Sequence, residues 1–156
     1  MMNGMRIQVR RATEGDAEAI AEIHVTARRE AMPWLPVLHT EAETREWVAN
    51  IVLPHQEVRV AEVDGRIVGY SARDGAELND LYVGPGYQGR GAGTALLHAA
   101  MAASPGELLL WTFQRNDDAR RFYELHGFEA TELTDGAGNE EREPDVRYRW
   151  SRASRT

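Results

Sequence analysis

The spacing of apolar side chains along the chain predicts short strands that alternate with amphipathic helices. Residues 6–11 alternate polar and apolar positions, which is typical of a strand with one buried face. Apolar positions then recur at helical spacing over residues 14–30, and Thr13 precedes them as an expected N-cap. Residues 31–40 contain two prolines, so they predict a loop rather than a further turn of helix.

A second helix is expected to begin after Thr40 and to run to about Asn50, with Val48 and Ile51 on its apolar face. The dipeptide Asp64-Gly65 lies between two apolar segments and is a strong signal for a two-residue hairpin. The remaining predicted elements are, in order, a strand over 76–83, a helix over 94–103, a strand over 108–113, a helix over 117–126, and strands over 128–133 and 146–150.

The run Leu108–Phe113 is continuously apolar, which predicts a strand buried on both faces. The complete order is β-α-α-β-β-β-α-β-α-β-β, and no internal repeat or linker interrupts it. In 156 residues this order predicts one α/β domain over 1–156, with a frayed tail over about 151–156.

Composition narrows the classes of function. The chain has no cysteine, which excludes disulfides, thiolate nucleophiles and cysteine zinc sites, and its five histidines lack paired spacing, so no metal is expected. The formal net charge of -7 argues against a nucleic-acid partner and fits a cationic substrate such as an amine. No apolar run approaches the roughly 18–20 residues that cross a bilayer, and no secretory signal is evident. We therefore expect no membrane partner and a cytoplasmic location.

The stretch Val83–Thr94 (VGPGYQGRGAGT) carries the clearest chemical signal. A strand ends there, a glycine-rich turn follows, and a helix begins. Backbone N–H groups at a helix start lack intrahelical partners, and together with the helix dipole they form an anion site suited to a pyrophosphate. The glycines let a phosphate approach the backbone closely, and Arg90 can add positive charge.

Two other phosphate-binding motifs fit this stretch less well. A Walker loop would need Gly-Lys followed by Ser or Thr, and the chain contains no such triplet. Gly84, Gly86 and Gly89 match the spacing of a dinucleotide fingerprint. The helix starts too late for that motif, however, and no acidic residue ends a strand about 20 residues on. A nicotinamide-dependent oxidoreductase is therefore disfavoured.

At these residues the chain resembles the GCN5-related N-acetyltransferase (GNAT) superfamily. The family signature, Gln/Arg-x-x-Gly-x-Gly/Ala, is met by Gln88–Gly93, and the family places this turn after its fourth strand, as here. A second family segment consists of an asparagine, an alanine, an aromatic pair and Gly-Phe. In this chain that segment reads Asn116, Ala119, Phe122-Tyr123 and Gly127-Phe128. The resemblance covers about residues 5–150.

The resemblance implies the GNAT fold, an α+β arrangement with a mixed, mostly antiparallel sheet of seven strands. The sheet is splayed between strands 4 and 5 and flanked by about four helices. The resemblance also implies acetyl-CoA as cosubstrate, its pyrophosphate held by the glycine-rich turn and its pantetheine arm paired with the fourth strand. The implied cofactor-binding residues are Leu81, Val83, Gln88, Gly89, Arg90, Gly91, Ala92, Gly93, Thr94 and Asn116.

Direct acetyl transfer to an amine needs a base for the ammonium and a proton donor for the departing thiolate. By position, Tyr123 matches the family tyrosine that protonates the thiolate. Glu77 is the preferred base, because it precedes the signature by eleven residues, a spacing that some family members use, and its parity matches the rest of the strand's site face. Asp80 has the opposite parity and is a weaker candidate. His24, Glu30 and a chain of water molecules remain as further possibilities.

The acceptor is expected to be a primary amine of a small molecule. Trp34 lies in the apolar loop that usually lines the acceptor pocket in the family, and Glu30 precedes that loop, so both are candidate substrate contacts. Two alternatives stay open, transfer to a protein or peptide amine and non-catalytic binding of acyl-CoA. The resemblance also allows a homodimer and a longer acyl donor.

Overall fold

The computed structural model describes residues 6–152, in which the alternating segments pair into one seven-stranded sheet. The strands are β1 (Ile7–Arg11), β2 (Glu57–Val63), β3 (Arg66–Asp74), β4 (Glu77–Val83), β5 (Glu107–Phe113), β6 (Glu129–Leu133) and β7 (Asp145–Ser151). The helices are α1 (Ala17–Ala31), α2 (Glu41–Trp47), α3 (Leu53–His55), α4 (Ala92–Ala103) and α5 (Asp117–Leu125). A 3-10 turn over Glu14–Asp16 leads into α1, and a π-helical turn over Val48–Val52 joins α2 to α3.

The sheet has the order β1-β2-β3-β4-β5-β7-β6. Neighbouring strands are antiparallel except β4 and β5, which are parallel. Within residues 6–152, β4 and β5 are in register only at Glu77 and Leu109, whereas β5 and β7 pair from end to end. The sheet therefore opens between its two central strands beyond Leu109, and this opening positions the candidate site.

Different helices cover the two faces of the sheet. On the first face, Leu97 of α4 and Tyr123 of α5 pack with Leu108 of β5. On the second face, Ile20 of α1 packs with Tyr70 of β3. The second-face cluster contains no residue of β5, β6 or β7 among the described strands, so its helices cover only one half of the sheet.

The predicted order of elements and the mixed sheet, splayed between strands 4 and 5, are confirmed. Asp64 and Gly65 both have positive φ, 52° and 77°, which matches a type I′ hairpin. Thr40 caps α2, because its hydroxyl accepts the Glu43 N–H at 3.0 Å while the Glu43 carboxylate accepts the Thr40 N–H at 2.8 Å. Since α2, the π-helical turn and α3 follow one another without a break, the sheet carries four helical segments.

The second helical segment differs from the prediction in its length and in its buried face. It continues past residue 50 through the π-helical turn and ends at His55. A π-helical turn contains an extra residue, which rotates the following positions about the helix axis. For this reason Val52 joins Val48 in the core, and Ile51, predicted to be buried, is exposed.

Strand β5 is buried on one face only, so the prediction of burial on both faces is wrong. Leu108 and Leu110 are buried, but Trp111 is 45% exposed. The reason is that the second-face helices stop short of β5. The tail also differs, because Ser151 ends β7 and the Arg152 N–H donates to the Gly106 carbonyl at 2.8 Å. The rest of the predicted frayed tail, 153–156, lies outside the described residues.

Candidate active site

A cleft of about 810 Å³ occupies the opening between β4 and β5. It is lined by 78–83 of β4 and 110–113 of β5, with further contributions from α1, α5 and the glycine-rich turn. Beyond the pair Glu77–Leu109, the β5-facing backbone of β4 has no strand partner in the described part of the chain. Backbone N–H and C=O groups need hydrogen-bond partners, so this edge can bind an extended ligand arm alongside Leu81 and Val83.

The glycine-rich turn and the start of α4 form an anion cradle at one end of the cleft. Gly89 and Gly91 have φ values of 74° and 97°, in a region that glycine enters without a steric penalty. Gly91 is the N-cap of α4, and its carbonyl accepts the Ala95 N–H at 2.9 Å. The N–H groups of Gly93 and Thr94 therefore precede the first intrahelical bond and are available to a ligand.

Five of the seven residues predicted to hold the pyrophosphate line the cleft, namely Gln88, Gly89, Gly91, Gly93 and Thr94. Arg90 and Ala92 are not among the lining residues. Ala92 is buried against the sheet, so it can contribute only its backbone. The Gln88 side-chain amide donates to the Val83 carbonyl at 3.2 Å, which fixes the turn against the end of β4.

Asn116 reaches the cleft from the start of α5. It is the N-cap of this helix, and its Oδ1 accepts the Ala119 N–H at 3.2 Å. Its side-chain nitrogen makes no hydrogen bond to any other described residue, so it remains available to a bound molecule. Capping and ligand contact are therefore compatible at this position.

Tyr123 lines the cleft from the same helix, two turns further on. Only 8% of the residue is exposed, and its ring packs against Phe122 and Phe128 with centroid distances of 5.2 and 5.3 Å. Burial is the main cause that raises the pKa of Tyr123 well above its usual value, and the charges of Tyr82 and Asp80 act in the same direction. The phenol is therefore protonated at neutral pH and can donate.

A β-bulge interrupts β4 next to Asp80, which lines the cleft. The β3–β4 register pairs Ala72 with Asp80 but Arg73 with Leu78, so Asn79 is an extra residue in β4. Side-chain alternation shifts by one at this bulge, and parity counted from the start of the strand does not hold beyond it.

Asp80 lies on the face opposite Leu81 and Val83, as its parity predicts, but it still lines the cleft, because the cleft opens between the strands and is reached from both faces. The residue whose predicted face is wrong is Glu77, because the bulge puts it on the face opposite Leu81 and Val83.

The Asp80 carboxyl faces polar side chains on the second face of the sheet. Burial raises the pKa of Asp80 to about 6, while the positive charge of Arg28 and a hydrogen bond from Tyr70 lower it. Its Oδ2 atom is buried and makes no hydrogen bond to the described part of the chain. A carboxyl that titrates near neutral pH and retains an unsatisfied oxygen is suited to exchanging a proton with a bound ligand.

Tyr70 connects Asp80 to α1. It is fully buried, and its hydroxyl lies 2.8 Å from Nδ1 of His24. The single hydroxyl hydrogen of Tyr70 donates a hydrogen bond to Asp80. The ring nitrogen of His24 is therefore the donor in its contact with the Tyr70 hydroxyl. Burial lowers the pKa of His24 to about 3, with smaller effects from Arg28 and His39, so this imidazole is neutral at physiological pH.

Arg28 joins α1 to the loop between β6 and β7. One guanidinium nitrogen donates to the Tyr82 hydroxyl at 2.8 Å, and the other donates to the Glu141 carboxylate at 3.0 Å. The same loop meets the α1–α2 connection where His39 Nε2 lies 2.9 Å from Glu140. The β6–β7 loop is thus tied to α1 by Arg28 and to the α1–α2 connection by His39, next to the end of the cleft that α1 lines.

Of the three remaining predicted site residues, Glu77, Trp34 and Glu30, only Glu30 lines the cleft. Glu77 does not line the cleft, and Arg147 holds its carboxylate with two hydrogen bonds, one of 2.9 Å. Trp34 does not line the cleft either, but its ring packs edge-on against Phe113, which does, at a centroid distance of 6.2 Å. Glu30 lines the cleft from α1 and is exposed.

Sequence reasoning missed Arg28, Tyr70 and Glu141. Arg28 lies four residues after His24 and eight after the buried Ile20, so both polar side chains share the helix stripe that packs on the sheet. Polar residues on the buried stripe of a helix could have indicated that α1 contributes to the site. Glu141 gave none, because it lies in an acidic loop whose place in the fold is fixed only by tertiary contacts.

Comparisons with known proteins agree with this arrangement. A family model described as "Acetyltransferase (GNAT) domain" matches residues 54–130. An uncharacterized N-acetyltransferase of Mycobacterium tuberculosis is 45% identical over 85 residues, which cover 48% of this chain and 54% of that protein. The chain thus spans about half the length of this curated relative.

Solved structures show the same fold. Apo YjaB from Escherichia coli matches with a TM-score of 0.77 at 22% identity, over 94% of this chain and 98% of that one. The PaiA N-acetyltransferase from Thermoplasma acidophilum, in complex with coenzyme A, matches with a TM-score of 0.74 at 21% identity, over 94% and 99%. The splayed sheet and its cleft thus define a protein with the N-acetyltransferase fold. Residues 54–130 match the GNAT acetyltransferase domain, as the glycine-rich signature predicts, and the chain has the fold of GNAT N-acetyltransferases.

The described residues contain neither a membrane-spanning helix nor a metal-binding cluster of side chains. Over 6–152, no helix combines the length and apolarity that a membrane crossing requires. In the same range, no group of three or more His, Asp or Glu side chains is arranged to hold a metal ion.

Proposed function

We propose that this protein transfers the acetyl group of acetyl-CoA directly to the primary amine of a small molecule. The observation that carries the proposal is that one cleft joins an amide cradle to Asp80 and Tyr123. Anion binding, proton removal and proton donation are the three tasks of the reaction, and each has a group in this cleft.

The donor half of the cleft is suited to coenzyme A. The N–H groups at the start of α4 would hold the pyrophosphate, since a helix N-terminus favours negative charge. The unpaired edge of β4 and the free side-chain nitrogen of Asn116 would hold the pantetheine arm. A backbone N–H near Val83 would polarise the thioester carbonyl, where negative charge develops as the amine attacks.

Asp80 replaces Glu77 as the preferred base. The acceptor arrives as an ammonium, which gives a proton to the Asp80 carboxylate, and the neutral nitrogen then attacks the thioester carbon. Glu77 is disfavoured because Arg147 occupies its carboxylate outside the cleft. The carbon–sulfur bond breaks as the new carbon–nitrogen bond forms, so no covalent intermediate with the protein is required.

Tyr123 is the proposed proton donor to the departing thiolate. Its phenol is protonated at neutral pH and reaches the cleft from the α5 side, on the opposite flank of the opening from α1. The thiolate takes this proton. The tyrosine recovers a proton from solvent after CoA leaves.

A small acceptor is favoured over a protein acceptor. The contacts Arg28–Glu141 and His39–Glu140 tie the β6–β7 loop to α1 and to the α1–α2 connection, next to the acceptor end of the cleft. A peptide chain needs an open groove, and these contacts narrow the entrance. Non-catalytic binding of acyl-CoA is disfavoured because Asp80 and Tyr123 are both present.

The first test is CoA release from acetyl-CoA, measured with a thiol reagent in the presence of a panel of primary amines. We expect Asp80→Asn to lower kcat/KM by roughly a hundredfold, because general base catalysis contributes about 10²–10⁴. Tyr123→Phe is expected to lower it by at least about tenfold. Glu77→Gln is the matched carboxylate control and should stay within about threefold of wild type.

Acetyl-CoA affinity and thermal unfolding of each variant separate a lost chemical group from a disturbed fold. A loss in Glu77→Gln with normal turnover in Asp80→Asn would reverse the base assignment. Binding of acetyl-CoA without acetylation of any amine would favour the binding-module alternative.

A further inference from the structure

A second cavity, of about 410 Å³, adjoins the cleft at β5. Its wall is formed by Trp111, Thr112, Phe113, Thr134, Gly138, Asn139 and Asp145. Trp111, Thr112 and Phe113 also line the cleft, so the two spaces share one wall. A ligand in the cleft that extends along β5 would therefore meet the second cavity.

The sheet register places Asp80 and the aromatic wall on the same side. Asp80 lies opposite Ala72, which belongs to the second-face core, so Asp80 faces that side. Leu108 and Leu110 of β5 are buried on the first face. Their neighbours Trp111 and Phe113 therefore point to the second face, where neither side chain is covered by a helix.

The polar groups of this cavity already bind one another. Asp145 accepts hydrogen bonds from Thr134 and from Asn139, the latter at 3.1 Å. The second hydrogen bond of the Asn139 amide goes to the Glu143 carbonyl at 2.7 Å. Asp145, the only ionisable side chain in the described wall, thus accepts hydrogen bonds from its neighbours in the wall. The cavity offers no unpaired charge for a carboxylate or a second ammonium.

The nearby cations are also paired, and both lie against aromatic rings. Arg147 is held by Glu77, with its guanidinium 5.2 Å from the Trp111 ring centroid. Arg115 is paired with Glu143 at 3.0 Å, and its guanidinium lies 4.1 Å from the Trp34 ring centroid. The first pair lies against the Trp111 ring, which lines the cavity, and the second against the Trp34 ring, which packs on Phe113 of the cavity wall.

We propose that this cavity, called here the aromatic subsite, binds an aromatic ring of the acceptor, which is an arylalkyl primary amine. The inference rests on the proposed function, because it places the amine at Asp80. Large rings gain most from the burial of apolar area, and they pack well against Trp111 and Phe113. Trp111 is 45% exposed, and the aromatic ring of the acceptor would cover this apolar surface.

The first arm of the test compares kcat/KM for 2-phenylethylamine, ethylamine and 1,4-diaminobutane. Wild type should prefer 2-phenylethylamine over ethylamine by roughly tenfold or more, which is what burying part of a ring contributes. Trp111→Ala should remove most of this preference, so kcat/KM for 2-phenylethylamine should fall by a larger factor than kcat/KM for ethylamine. Ile51→Ala is the matched control, because it removes an exposed apolar side chain that lines neither the cleft nor the second cavity.

The second arm measures binding without turnover. Saturation-transfer NMR on the CoA-loaded protein should show contact to the ring protons of 2-phenylethylamine in wild type and in Ile51→Ala, but not in Trp111→Ala. Ring contact without any acetyl transfer would sustain the subsite and refute the proposed function. Acetyl transfer with equal rates for all three amines would sustain the proposed function and refute the aromatic subsite.

Three further results would also overturn the aromatic subsite. The first is a preference for 1,4-diaminobutane, and the second is a phenyl preference that survives Trp111→Ala. The third is that a second copy of the chain, and not an acceptor ring, covers this surface. A wild-type dimer that becomes monomeric in Trp111→Ala, by light scattering, would assign the exposed indole to a protein interface.

Discussion

Neighbours with opposing effects set the charge of the Asp80 carboxyl. Burial raises its pKa, whereas Arg28 and the Tyr70 hydroxyl lower it, and the result is a pKa of about 6. At pH 7 the carboxyl is thus mostly ionised, yet it accepts a proton more readily than an ordinary aspartate would. Such a value suits a base that must act near neutral pH.

Tyr70→Phe tests this balance at the residue scale. The substitution removes the hydrogen bond that stabilises ionised Asp80, so the pKa of Asp80 should rise further. Activity requires the ionised form, and the low-pH limb of kcat/KM should therefore move to higher pH. A hydrogen bond to a charged group is worth about 1.5 kcal/mol, which corresponds to about one pH unit.

A buried tyrosine outside the cleft provides the control. Tyr148 is fully buried, and its hydroxyl donates to Glu124 at 2.5 Å, so Tyr148→Phe also deletes a buried hydroxyl. Its pH profile should match wild type even if its stability falls. A profile for Tyr70→Phe that superposes on wild type would show that Tyr70 does not act on the base.

The other groups that face Asp80 do not titrate in the relevant range. His24 has a pKa of about 3 and is neutral from pH 5 to 8. The pKa of Arg28 is raised, so its guanidinium stays charged, and burial raises the pKa of Tyr82 and Tyr123. A shift of the low-pH limb in Tyr70→Phe therefore reports on Asp80.

At the scale of elements, the start of α4 determines where a pyrophosphate can bind. Gly91 begins this helix with a φ of 97°, and an added Cβ would meet nothing closer than the Ile7 side chain at 3.6 Å. The difficulty for any other residue is therefore backbone strain rather than space. That strain is about 1–2 kcal/mol, enough to turn the first N–H groups away from a shared ligand.

Gly91→Ala should raise the Kd for acetyl-CoA by about tenfold, because 1.4 kcal/mol corresponds to a factor of ten. Gly106→Ala is the matched control, since Gly106 has a φ of 118° but follows α4 at its far end. Calorimetry should show normal affinity in the control, although both variants lose stability. Equal weakening in both would indicate a general effect of strain and would remove the cradle from the account.

Strands and helices were predictable because apolar periodicity and turn residues are local signals. Two of the departures have a common cause, since the bulge at Asn79 and the π-helical turn over Val48–Val52 each add one residue to a regular element. Such an insertion changes which side chains face the core without changing composition. It therefore moved Glu77 off the face of Leu81 and Val83 and exposed Ile51.

At the scale of the whole molecule, sequence predicted the donor half of the site better than the acceptor half. The residues of the cradle are contiguous, and Asn116 and Tyr123 share one short helix, so local motifs could identify them. The acceptor half is assembled from α1, β5 and the β6–β7 loop. Its contacts, such as Arg28 with Glu141, join residues far apart in the chain, and no local pattern encodes them.

This division also explains why the family was predictable and the acceptor was not. Every chain of this fold needs an opening between two central strands and an amide cradle to hold the donor. The loops that close the other end can vary without disturbing the sheet. Specificity for the acceptor therefore depends on particular side chains, such as Trp111, whose exposure appears only in the folded protein.

The most direct test of the central claim is a calorimetric titration of the wild-type protein with acetyl-CoA. The cleft between β4 and β5, with its cradle at the start of α4, predicts binding at one site per chain with a Kd on the order of micromolar. Adding an accepted amine should then release CoA and reduce the apparent affinity. Absence of any binding up to millimolar acetyl-CoA would contradict the assignment of the cleft, and the proposed transfer reaction would have to be abandoned.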